Sequence, residues 1–154
     1  MRNKYIIILS VLVLALAIYS FYLPKKEVVE VIDEPITEKI TYNNASTDNI
    51  QVELPFPGAV TGKEFIVIGK ARGTWFFEAS FPIDVLDKDG KILVQTYATA
   101  QGEWMTQDFV PFKSENIKIP ATYIGPATLV LKKDNPSDMR ELDASISFPF
   151  TIEY

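Results

Sequence analysis

"ASISFPFTIE", residues 144–153, alternates without a break: Ala144, Ile146, Phe148, Phe150 and Ile152 fall on one side, and Ser145, Ser147, Pro149, Thr151 and Glu153 on the other. A repeat of two gathers apolar residues on one face of a β-strand, whereas a helix would scatter them around its axis. The segment is a strand with one face in a core. Toward the N-terminus, "ATLVLKK" (127–133), "NIKI" (116–119), "DFVPF" (108–112), "KILVQTYATA" (91–100), "EFIVIGKA" (64–71) and the alternating Ile50, Val52 and Leu54 read as further strands. They are rich in the β-branched and aromatic residues that suit a pleated, half-buried surface.

Turn signals separate these segments. "PFPG" (55–58), "DKDG" (87–90) and "DNPSD" (134–138) carry the residues that tight turns require. "DKDG" reads as a turn and not as a calcium loop, because the third acidic position and the terminal Glu of such a loop are missing. From residue 50 onward no stretch sustains a helical repeat, and the count is about seven or eight strands, which predicts an immunoglobulin-like antiparallel β-sandwich.

"KARGTWFFEASFP" (70–82) is the stretch in which chemistry and packing compete. Strict alternation places Trp75, Phe77, Phe81, Ile83 and Val85 inward and Phe76, Glu78, Pro82, Asp84 and Leu86 outward, with Pro82 implying an edge position or a bulge. Arg72 and Glu78 lie too far apart on a straight strand to meet. Each is expected to take a charged partner from elsewhere, with Glu103, Asp108, Asp134 and Lys70 the candidates by type, and a buried ion pair is the expectation.

Composition narrows the chemistry. The chain of 154 residues contains no Cys and no His. A disulfide, a thiolate metal site, a cysteine nucleophile, a cysteine-borne lipid anchor and every Ser/His arrangement are thereby excluded. An enzyme would have to use carboxylates, Lys or Tyr; Glu78 and Asp108 are the nominal pair for a carboxylate-based cell-wall glycosidase. The composition instead favours a non-catalytic module, with no cofactor or metal expected. The net charge of −5 leaves no region basic enough to follow a phosphate backbone, so nucleic acid is not an expected partner.

Tyr5–Leu23, "YIIILSVLVLALAIYSFYL", runs 19 residues without a charge, long enough as a helix to cross the hydrocarbon layer, and aromatics sit near its ends. The expectation is an uncleaved single-span anchor in the plasma membrane with the C-terminal domain extracytoplasmic. Arg2 and Lys4 before the apolar run and the Ala15, Leu16, Ala17 site also fit a signal peptide, whose cleavage would release a secreted protein. Residues 24–49, charged and then polar, read as an extended linker, and residues 50–154 as the domain.

Three segments, "GKARGTWFFEASFPI" (69–83), "GEWMTQDFVPF" (102–112) and "ATLVLKKDNPSD" (127–138), occur in the order and form of one known family. Residues 50–154 resemble the immunoglobulin-like domain of bacterial spore germination, the second of the GerM-associated domains, departing from its pattern at Asp138, where a glycine is expected. The resemblance implies an immunoglobulin-like sandwich in envelope or secreted proteins, with no catalytic residues attached to the family. It does not by itself assign a germination process.

Within that frame Arg72, Trp75, Phe77, Glu78, Asp134, Asn135, Pro136 and Ser137 read as a structural motif, with Asn135 and Ser137 bonding their own turn. Trp104, Met105, Gln107 and Asp108, with an exposed Phe76, form the candidate ligand or partner surface, because Trp in a loop is a common anchor. Trp104 equally fits a plug over the open end of the sandwich. The partner would be an envelope protein or a cell-wall glycan; alternatively the domain is a spacer or assembly subunit of a membrane complex. Oligomeric state is not legible.

Overall fold

A computed structural model describes residues 39–137 and 139–154. The expected membrane segment at 5–23, most of the expected linker and Asp138 lie outside the described residues. Among the described residues no helix is long and apolar enough to cross a membrane.

Eleven strands follow one another among the described residues: β1 (Thr41–Asn43), β2 (Ile50–Leu54), β3 (Val60–Thr61), β4 (Glu64–Phe65), β5 (Ile68–Arg72), β6 (Ser80–Asp87), β7 (Ile92–Ala100), β8 (Phe109–Ser114), β9 (Ile117–Lys118), β10 (Gly125–Lys132) and β11 (Ser145–Ile152). The count exceeds the expected seven or eight because β1 and β3, two or three residues long, are too short for an alternation to register, and because "EFIVIGKA" divides into β4 and β5. Hydrogen bonding runs β1-β11-β10-β6-β7-β8-β5-β2, with β3 beside β11 and β4 paired to β9. β7 joins the two layers: it pairs with β6 along most of its length, while Ala98–Ala100 pair with Phe112–Ser114 of β8. The inward residues of β2, β5 and β8 thereby meet those of β6, β10 and β11 in one core.

The β11 alternation holds as read, with Ile146, Phe148, Phe150 and Ile152 buried. Burial of each such side chain contributes about 1.5–3 kcal/mol. Pro149 is tolerated because its carbonyl accepts from Gly58 N–H at 2.8 Å, on the side away from β10. A strand residue's N–H and C=O point the same way, so the donor that proline lacks would also have faced that side.

Two expectations are corrected here. β6 is central, not an edge, and its irregularity lies between Val85 and Leu86; Pro82 fits because β10 pairs only from Ile83 onward. Residues 41–49, read as linker, belong to the domain: Thr41–Asn43 pair with Ser145–Ser147 of β11, and Asn49 C=O accepts from Arg72 N–H at 2.8 Å. A three-residue strand with exposed ends offers no sequence signal.

Candidate functional site

Four loops converge at one end of the sandwich: residues 43–49, 73–79, 101–108 and 133–144. The backbone stitches them together. Gly73 N–H donates to Asp108 C=O at 3.1 Å, Asp134 N–H to Trp75 C=O at 3.1 Å and Lys133 N–H to Ala144 C=O at 2.8 Å. Asn44 Nδ2 donates to Asp143 C=O at 3.0 Å.

Arg72, the last residue of β5, fixes two of these loops. Its Nε donates to Asp48 C=O at 2.9 Å and its Nη1 to Gln107 C=O at 3.2 Å, and the guanidinium carbon lies 4.2 Å from the centre of the Phe109 ring. The expected ion pair does not form among the described residues: carbonyl oxygens and an aromatic face take its place. Spacing in the sequence cannot reveal backbone acceptors, which every residue carries.

The face assignment at 75–79 is also corrected. Trp75 is buried as expected, but Phe76 is 4% exposed and Phe77 41% exposed, the reverse of strict alternation. Gly73–Trp75 form a 3-10 turn, and Glu78 (φ 48°) and Ala79 (φ 62°) are left-handed, so the strand starts only at Ser80. Phe77 and Ser80 exchange backbone hydrogen bonds at 3.0 Å across that turn. Phe76 is therefore no exposed aromatic; it packs against Phe81, ring centres 5.3 Å apart, and Trp75 meets the same ring edge-on at 6.4 Å.

The 101–108 loop is held from within and from below. Met105 N–H donates to Glu103 Oε1 at 2.9 Å, Thr106 N–H to Trp104 C=O at 2.8 Å and Asp108 N–H to Thr106 Oγ1 at 3.2 Å. A side chain at Gly73 would lie 2.1 Å from Thr106 O and 2.2 Å from Trp104 O, so only glycine lets the loop settle there. Trp104 is half-buried against the core, whereas Met105 is 75% exposed. Between the loop and residues 73–76 lies an open cavity of about 310 Å³ lined by Thr74, Phe76, Trp104, Met105, Thr106 and Gln107. Of the expected surface, Phe76, Trp104, Met105 and Gln107 line it; Asp108 is exposed but serves the loop base.

The remaining motif residues, Asp134 to Ser137, lie at a turn. Asn135 Oδ1 accepts from Ser137 N–H at 3.3 Å, while its Nδ2 donates to Met139 C=O and Asp143 Oδ1, each at 2.8 Å; Pro136 sits exposed in this turn. Asp87 Oδ1 likewise accepts from Asp89 N–H (2.9 Å) and Lys91 N–H (2.8 Å), which occupies that carboxylate within its turn. Desolvation first, and the Glu78 charge second, hold the Asp134 carboxyl above its ordinary range. Neither Glu78 nor Asp108 lines the cavity.

A second cavity, of about 220 Å³, opens on the other side of Thr74, with Asn44, Asn49, Lys133 and Glu141 in its wall. None of these four was an expected site residue, because they come from loops far apart in the chain and two lie in the stretch read as linker.

A two-layer antiparallel sandwich whose loops build cavities at one end is the architecture of an immunoglobulin-like domain. The chain belongs to the family described as the immunoglobulin-like domain of bacterial spore germination, whose match covers residues 49–140. β1 and β11 fall outside that span. No curated protein and no solved structure matches the chain.

Proposed function

We propose that this protein is a membrane-tethered, extracytoplasmic, non-catalytic recognition module of the bacterial cell envelope, with the loop end of the sandwich as its binding face. The observation that carries the reading is the cavity beneath Met105: an apolar, 75% exposed side chain held over a recess by a loop that Arg72 and Gly73 fix in place. A rigid loop presenting an adaptable thioether beside aromatics is suited to binding and brings no reacting group. The uncharged stretch at residues 5–23 supports tethering, and the absence of His and Cys supports a non-catalytic role.

The full chain in detergent micelles is expected to co-sediment saturably with isolated cell-wall polymer, and Met105→Ala and Trp104→Ala to weaken the binding with the far-ultraviolet dichroism unchanged. Retention of full binding in both variants would remove the loop end from the reading. Protease added to intact cells is expected to digest the domain; its survival would place the domain inside.

The reading as spacer or assembly subunit draws on a different surface. Leu54, Phe56 and Val60, at 47%, 56% and 57% exposure, crowd the loop that crosses between the layers. If that role dominates, Phe56→Ser abolishes co-purification of membrane partners and the loop-end variants do not.

A further inference from the structure

The second cavity differs in chemistry from the first, although Thr74 borders both. Asn44 uses its Nδ2 on Asp143 C=O, which leaves Oδ1 to accept; Asn49 uses its Oδ1 on Ser46 N–H, which leaves the amide N–H groups to donate. Among the described residues the Lys133 and Glu141 side chains make no ion pair and no hydrogen bond. Trp75, in the same wall, is 3% exposed, and its Nε1 is a buried donor with no partner among the described residues. A buried donor left without a partner is costly, so an indole N–H beside a recess marks a place for an acceptor oxygen.

These groups specify a ligand. One ammonium and one carboxylate balance, which favours a neutral molecule over an anion or a cation. Free acceptors and free donors both line the recess, as sugar hydroxyls, each both donor and acceptor, require. An acetamido group adds a carbonyl for the Trp75 N–H and a methyl for the apolar flank at Leu142. A peptide fits less well, because none of the lining residues belongs to a strand that could extend a backbone ladder.

We propose that this polar cavity is a subsite for one N-acetylated amino-sugar unit of a glycan, whose neighbouring unit lies across Thr74 against Trp104 and Met105. The inference rests on the loop end being the recognition face and adds the class of ligand.

The test titrates the full chain in micelles with the linear N-acetylglucosamine tetramer, by calorimetry and by the fluorescence of the two tryptophans. Saturable binding is expected, weaker by about tenfold in Glu141→Gln, in Lys133→Met and in Trp75→Phe, each of which removes one charge or one donor. The first two lie on the surface and keep the test open should Trp75→Phe fail to fold. Cellotetraose, which lacks the acetamido group, is expected to bind about tenfold more weakly. The proposal is overturned by absent saturation, by affinity unchanged in both Glu141→Gln and Lys133→Met, by equal binding of cellotetraose, or by displacement of the tetramer by cell-wall stem peptide. If the tetramer fails while cell-wall co-sedimentation still depends on Met105, the recognition face stands and the sugar subsite falls; if both fail, both readings fall.

Discussion

Gly73 shows how closely one residue governs the loop end. Its missing side chain lets two carbonyls approach to a little over 2 Å of where a β-carbon would stand, and its N–H anchors Asp108. Gly73→Ala is expected to lower stability by about 1–3 kcal/mol through overpacking, read as a lower thermal midpoint, and to reduce cell-wall binding. Asp134 offers a test with a definite sign. Because burial and Glu78 raise its pKa, the folded chain binds that proton more readily than the unfolded chain does. The resulting penalty is full at neutral pH and fades as pH falls through the raised value toward the ordinary one. Asp134→Asn is therefore expected to raise the urea midpoint at neutral pH, with the gain over the parent shrinking on acidification; a gain that grew toward acid would contradict the assignment.

Among the elements, β10 is the best supported, paired along its length to β11 and over Ala127–Leu131 to β6. Val130→Pro removes a ladder donor in this interior strand and is expected to destabilise by about 3 kcal/mol or more, while Pro149→Thr, at a position whose donor side faces away from β10, changes stability by about 0.5 kcal/mol or less. Hydrogen exchange should rank the amides of β10 as slowest and those of β1 and β4 among the fastest. On the outer face, Asp84 is 3% exposed and bonded by Lys132 Nζ and by Gln95 Nε2, the latter at 3.0 Å. Lys132→Met leaves that carboxylate with one partner and is expected to cost about 1–3 kcal/mol in chemical unfolding.

For the molecule as a whole, the boundary at residue 50 is the most consequential misreading. A chain begun at residue 50 loses β1 and the 43–49 loop, with the partly buried Ile40, Tyr42 and Ala45. It is expected to unfold at lower urea than one begun at residue 39, by about 2 kcal/mol or more. The sandwich itself was legible because β6, β7, β10 and β11 each carry eight or more residues, enough for period two to show. The 75–79 reversal was not, since Glu78 and Ala79 adopt left-handed backbone without being glycine or asparagine. The Met105 loop stood out by composition, whereas the polar cavity exists only once residues from positions 44 to 144 are brought together.

β1 also determines how the domain meets mechanical load. It is the first strand among the described residues, antiparallel to β11, and paired there through Thr41↔Ser147, Tyr42↔Ile146 and Asn43↔Ser145. A pull on the preceding chain along the strand axis shears all three together; a pull across it peels them one at a time from Thr41. Peeling bares the edge of β11 at Ser145–Ser147, while β3 stays paired at Thr151 and Ile152. Asn44 is next in line, so tension sufficient to free β1 draws a wall residue out of the polar cavity and opens the loop end from its N-terminal side.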